Sequence, residues 1–218
     1  MIARSNRAAW WALRHLILPV LFRGLHAVRF LGEPHVPRGR PLLVLANHVS
    51  WWDGFLVERL VRRLRPQAPL YTVMLERELA RAPFLRLTGG LGLVPGSMAG
   101  TRALLRALER ERARRNDLVV QFFPQGSIYP SRRRPLGFQD GFQLVARALG
   151  DAVLLPVGIH LEPFNHPRST ALVTAGEPWD AGVDLPSAVD VERRVTHLLD
   201  DVLAAVDRDG ERWHGGRA

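Results

Sequence analysis

The segment Leu42-Leu43-Val44-Leu45-Ala46-Asn47-His48-Val49-Ser50-Trp51-Trp52-Asp53-Gly54 runs from five apolar residues to a histidine and, five positions later, an aspartate. An unbroken apolar run of that length, with no polar alternation, is the pattern of a strand covered on both faces. His48 falls just past the strand, and Asp53 opens a helical pattern over 53–64. On a helix the two would lie about 140° apart, so only a turn between them brings the side chains together. In such a turn Asp53 accepts a hydrogen bond from one ring nitrogen and leaves the other free as a base. The plainer alternative makes Asp53 a helix N-cap and His48 a loop residue.

The same alternation extends along the chain. Apolar runs at 70–75, 91–94, 118–123, 153–159 and 171–174 read as strands, and helical spacing recurs over about 76–88, 97–115, 139–149 and 187–207. Turn residues stand around 32–34 and 37–39. This order predicts an α/β fold: a largely parallel mixed sheet flanked by helices, with its site at the carboxyl ends of the strands. With 218 residues, 47% hydrophobic, the chain has room for one well-filled domain. The predicted division is an N-terminal interfacial helical segment (1–31), an α/β domain (32–210) and a tail (211–218).

Composition removes several chemistries. There is no cysteine, hence no disulfide, thiolate metal site or cysteine nucleophile. All 30 basic residues are arginine, which excludes a Walker phosphate loop and a lysine Schiff base. Residues 1–115 hold 20 Arg against 7 acidic residues and 116–218 hold 10 against 14, so +13 and −4 make the net +9. The basic half carries no nucleic-acid-binding motif, and nucleic acid is not an expected partner. His15, His26, His35, His160, His166, His197 and His214 lack metal-ligand spacing, so no metal site is expected. Gly89, Gly90 and Gly92 imitate part of a dinucleotide fingerprint, but Pro95 stands where its third glycine belongs. No G-x-S-x-G elbow exists, since Gly96-Ser97-Met98-Ala99-Gly100 has the wrong order. A His–Asp pair without a nucleophile suits deprotonation of a hydroxyl that the substrate brings.

The first 31 residues contain no run long enough to span a bilayer: the longest uncharged apolar stretch is 16–22, against the roughly 20 residues needed. Arg14 and His15 split the apolar region and Arg23 follows it, unlike a signal peptide. On a helical wheel Ala9, Ala12, Leu13, Leu16 and Ile17 share one arc, with Arg4, Arg7 and Arg14 opposite. Trp10 and Trp11 beside Arg7 and Arg14 predict a helix lying in the headgroup region of a membrane. The competing expectation is a helix packed on the domain's own core.

Phe122-Phe123-Pro124-Gln125-Gly126-Ser127 follows another apolar strand, and Leu154-Leu155-Pro156-Val157 ends a further one. Together with the Asn47–Asp53 stretch, these blocks resemble the glycerolipid acyltransferase family of the 1-acylglycerol-3-phosphate O-acyltransferase type. That family carries N-H-x-S-x-x-D, G-x-I-x-V-x-R, F-P-E-G-T-R and a late V-P-V-type strand in order, and the resemblance covers about residues 33–178. It implies His48 as general base on an acceptor hydroxyl and Asp53 as its orienting partner. Asn47, Ser50, Gln125, Gly126 and Ser127 would surround the substrate. The implied donor is a fatty acyl thioester on coenzyme A or acyl carrier protein, without a cofactor. The implied setting is the cytoplasmic face of a membrane, with membrane lipids as partners of a peripheral or monotopic protein.

Departures from the pattern bear on the acceptor. Gly96 stands where the second block carries arginine, and in the third block Gln125, Ser127 and Ile128 replace glutamate, threonine and arginine. The resemblance assigns those arginines to the acceptor's phosphate, a role that suits the guanidinium fork. Arg132, Arg133 and Arg134 come next, either as a replacement clamp or as a solvated basic run. The expected acceptor is an unphosphorylated lipid such as a glycolipid or glycosylated isoprenoid, its head held by Gln125 and Ser127. The alternative is 1-acylglycerol-3-phosphate acylation in phospholipid synthesis; of another class, a non-catalytic lipid-binding member of the fold. Oligomeric state is left open.

Overall fold

The computed structural model describes residues 6–32, 34–181 and 185–210. In chain order α1 (Arg7–Ala12), a π-helical turn (Leu13–Ile17) and α2 (Leu18–Leu21) lead into β1 (Ala27–Leu31) and β2 (Leu42–Ala46). Then come α3 (Asp53–Leu64), β3 (Leu70–Leu75), α4 (Glu76–Arg81), a 3₁₀ turn (Pro83–Thr88), β4 (Gly90–Leu93), α5 (Met98–Arg114) and β5 (Val119–Phe122). The chain closes with α6 (Gly141–Leu149), β6 (Val153–Glu162), β7 (Thr170–Ala175), β8 (Trp179–Asp180) and α7 (Ala188–Asp209). The strands form one sheet in the order β1-β7-β6-β2-β5-β3-β4, with β8 on β6. Among the described residues only the β6–β7 and β6–β8 pairings are antiparallel. This is the expected mostly parallel sheet flanked by helices.

β2 explains why its run shows no alternation: both of its faces are buried. Leu42, Val44 and Ala46 pack in one core with Leu56, Val57 and Leu60 of α3. Leu43 and Leu45 face the other, with Leu104 and Leu108 of α5 and Phe142 and Val145 of α6. Truncating any of these leucines to alanine removes buried volume worth about 2–5 kcal/mol. Central burial places the carboxyl end of β2, and so His48, in the middle of one sheet edge. Gly89 needs its glycine, because at φ +87 a Cβ would come 2.3 Å from the carbonyl oxygen of Leu70; close packing, and no dinucleotide, accounts for it.

The N-terminal segment differs from its expected form in two ways. It does not extend as helix to residue 31, because Ala27–Leu31 is β1, pairing parallel with β7 at the sheet edge. Arg29 in the middle of that run hid it; an edge strand is half-buried throughout and tolerates the charge. Second, the apolar arc is shifted. A π turn takes in one more residue than an α turn and rotates the side chains after it about the helix axis. Leu13 and Leu18 therefore point inward at 3% and 5% exposure, while Leu16 and Val20 stand out at 59% and 60%. Trp10, expected at a membrane surface, is buried, with the Arg14 guanidinium 4.4 Å from its ring centre. Arg14 itself pairs with Glu58 of α3 at 2.7 Å instead of facing solvent. Trp11 is exposed as expected. Arg7 opens α1; Arg4 and the tail 211–218 lie outside the described residues. No helix among the described residues is long and apolar enough to cross a membrane.

Candidate active site

The turn inferred between His48 and Asp53 is present. Asp53 is fully buried at the start of α3 and its carboxylate folds back on the loop. Oδ2 accepts from His48 Nδ1 at 2.7 Å, Val49 N–H at 2.6 Å and Ser50 N–H at 2.9 Å, and Oδ1 accepts the Ser50 hydroxyl at 2.6 Å. All four partners are donors, so the carboxylate fixes the proton of a neutral imidazole on Nδ1. Nε2 then carries the lone pair, and it makes no hydrogen bond among the described residues. The His48 side chain is 25% exposed, so this nitrogen is within reach of a substrate. Asp53 is thus an orienting group and no N-cap.

Other residues expected around the substrate hold the histidine instead. The Asn47 side chain, fully buried, donates to the Ile159 carbonyl at 2.9 Å and accepts the Ile159 N–H at 2.7 Å, tying the end of β2 to β6. The Ser50 hydroxyl is committed to Asp53 and to the Trp52 N–H. Gln125, expected on the acceptor head, is buried: it accepts the His48 N–H at 2.6 Å and donates to the Leu136 carbonyl at 2.9 Å. Buried and held at both ends by backbone groups, this amide is not presented to a sugar hydroxyl. Gly126 and Ser127 are exposed on the loop that leaves Gln125 and remain accessible to substrate.

The arginine run does not act as one patch. Arg134 pairs with Asp200 of α7 and donates to the Ser131 carbonyl, which commits it to the fold. Arg133 lies 3.7 Å over the Tyr129 ring, and Arg132 is 3.6 Å from Glu162. Phe123 and Tyr129 carry roles that the sequence alone does not assign. The Phe123 ring stacks on His48 at 4.6 Å, and the Tyr129 N–H donates to the His48 carbonyl at 2.9 Å. Both belong to or closely follow the third block, which was the available signal. Among the described residues no three His, Asp or Glu side chains gather to hold a metal ion.

A His–Asp pair with the outer ring nitrogen free of protein partners among the described residues, at the carboxyl edge of a mostly parallel sheet, fits acyl transfer to a hydroxyl. The acyltransferase family model matches residues 27–160, more than half of the chain, and the chain belongs to that family. The protein is an acyltransferase. Among solved structures it is similar to the 1-acyl-sn-glycerophosphate (LPA) acyltransferase PlsC from Thermotoga maritima. Identity is 21%, the match covers 91% of this chain and 82% of that one, and the TM-score is 0.61. At that identity the likeness is one of fold.

Proposed function

We propose that this acyltransferase works at a membrane surface, moving a fatty acyl group from an acyl thioester to the hydroxyl of a lipid with a neutral polyol head. The observation that carries the reading is the unpartnered Nε2 of His48, held by Asp53 with no protein nucleophile bonded to it. In the reaction Nε2 takes the proton of the acceptor hydroxyl as its oxygen attacks the thioester carbonyl. The carbon–sulfur bond breaks, and the departing thiolate takes that proton from the imidazolium. The His48–Asp53 bond stabilises the cation formed between the two steps.

The neutral head rests on Gly96 and Ile128. Gly96 has φ +76, a conformation an arginine would adopt only under strain, so its backbone as well as its side chain departs from the arginine pattern. Ile128 is 53% exposed and offers no donor. Two lost guanidinium–phosphate bonds at about 1.5–3 kcal/mol each would weaken phosphate recognition by very roughly a hundredfold or more. Phosphorylated acceptors are the second reading, favoured by Arg132 and Arg133, whose side chains are not committed as Arg134 is. The membrane setting rests on the exposed Trp11, Leu16, Ile17 and Val20 of the N-terminal segment.

The test is a competition at fixed acyl thioester between lysophosphatidic acid and neutral lipid acceptors, on wild type and on Arg132→Ala/Arg133→Ala. Preference for the neutral acceptor in both proteins is expected. Efficient acylation of lysophosphatidic acid, lost in the double variant, would establish the phosphorylated acceptor instead.

A further inference from the structure

The solvent face of α5 carries Arg102, Arg106 and Arg110 one turn apart, all exposed and none in an ion pair among the described residues. Several other arginines are tied down: Arg14 to Glu58, Arg40 to Asp180, Arg112 to Asp151, Arg134 to Asp200. Glu109, the acidic side chain at the border of the stripe, pairs with none of the three. The same row continues to the exposed Met98 at one end and to Arg114, paired with Glu111, at the other, and the exposed Ala99, Ala103 and Ala113 beside it are small enough for a second helix to lie close. Leu104, Ala107 and Leu108 on the opposite face are buried against the sheet, so fold stability places no demand on the arginines.

Position separates this stripe from the membrane-facing segment. The N-terminal helices and α3 cover one face of the sheet, with Leu13 and Leu18 in the core of Leu42 and Val44. α5 lies on the other face, with α6 and α7. A bilayer under Trp11 and Val20 therefore leaves the stripe free for a soluble partner. Its near end adjoins the active-site edge: β2, β5, β3 and β4 are parallel neighbours, and β4 ends five residues before Met98 opens α5. The ends of β2 and β4 are three strand spacings apart, about 14 Å. From Arg102 to Arg110 the stripe then runs about 12 Å along the helix.

We infer that this stripe docks an acyl carrier protein, an acidic helical partner that lays a row of carboxylates along Arg102, Arg106 and Arg110 and delivers its thioester to His48 on a flexible arm. The inference rests on the thioester donor of the proposed function. A linear array of three cations matches an acidic helix better than the clustered phosphates of a nucleotide. Exposed charges of this kind act mainly on encounter and are screened by salt.

The direct test is binding of fluorophore-labelled apo acyl carrier protein from the same cell to the full chain, by anisotropy at low and raised salt. Wild type is expected to bind, with affinity falling as salt rises, and Arg102→Glu/Arg106→Glu/Arg110→Glu to bind at least tenfold more weakly at unchanged Tm. Arg102→Ser/Arg106→Ser/Arg110→Ser covers the case in which charge reversal disturbs folding. In turnover the KM for acyl carrier protein as donor rises by a similar factor while that for acyl-CoA holds. No binding by wild type, equal binding by the variants, a parallel rise in the acyl-CoA KM, or loss of vesicle flotation would each overturn the inference. Carrier binding through the stripe without transfer to any lipid would count against the proposed function and leave the docking site standing.

Discussion

The side-chain oxygen of Gln125 accepts the backbone N–H of His48 at 2.6 Å, and the same amide donates to the Leu136 carbonyl at 2.9 Å. One buried side chain thus clamps the loop that carries His48 to the loop beyond the third block. A carboxylate could satisfy the first contact but would turn an acceptor toward the Leu136 carbonyl. Gln125→Glu is therefore expected to destabilise the protein by about 2–3 kcal/mol, roughly 4–12 °C in Tm near neutral pH. The deficit shrinks in acid, where a protonated glutamate can donate to Leu136. Thermal melts of wild type and variant at about pH 8 and pH 5 check both parts.

Arg14 separates packing from the proposed membrane contact of the N-terminal segment. Glu58 is 4% exposed, so Arg14→Ala leaves its carboxylate buried without its partner, at a cost on the order of 3 kcal/mol. Replacing Trp11, Leu16 and Val20 by serine touches only exposed surface and leaves Tm nearly unchanged, yet removes most of the apolar area offered to a bilayer. Chemical denaturation and vesicle flotation of the two variants distinguish the effects. Unimpaired flotation of the serine variant would move the membrane contact elsewhere.

His160 supplies a pH dependence. It is buried at the end of β6, with Nδ1 2.6 Å from the Ser131 hydroxyl and Nε2 3.0 Å from Glu162. Burial holds its imidazole below the ordinary histidine range, against the pull of the Glu162 carboxylate. The unfolded chain takes up the proton near pH 6.5, so below that pH it binds more protons than the native state. Stability is thus complete above about pH 6.5 and falls as pH drops toward the lower native value. His160→Gln should flatten that slope between about pH 7 and pH 5 in Tm measurements.

Much of this fold is readable from periodicity. α3 begins and ends where its apolar spacing and Asp53 place it, and β2 shows as an unbroken apolar run because both faces are buried. β1 escaped because an edge strand keeps Arg29 in its middle, and the N-terminal wheel failed because the π turn at Leu13–Ile17 changes the period it assumes. At the site, His48 and Asp53 were legible because a short loop joins them. Gln125 was recognisable as a site residue, but its partners, the N–H of His48 and the carbonyl of Leu136, are backbone groups distant in sequence, so its direction was not. Backbone hydrogen bonds leave no mark on side-chain composition.

The most direct measurement is turnover of purified His48→Ala against wild type, with an acyl thioester donor and a lipid acceptor, alongside the Tm of each. His48 is 25% exposed and packs at the surface of the site, so the variant should stay folded. A positioned general base is worth about 10²–10⁴ in rate, and transfer should fall by that factor, with Asp53→Asn losing a comparable one through the wrong tautomer. Near wild-type turnover by a fully folded His48→Ala would contradict the assignment of His48 as the base.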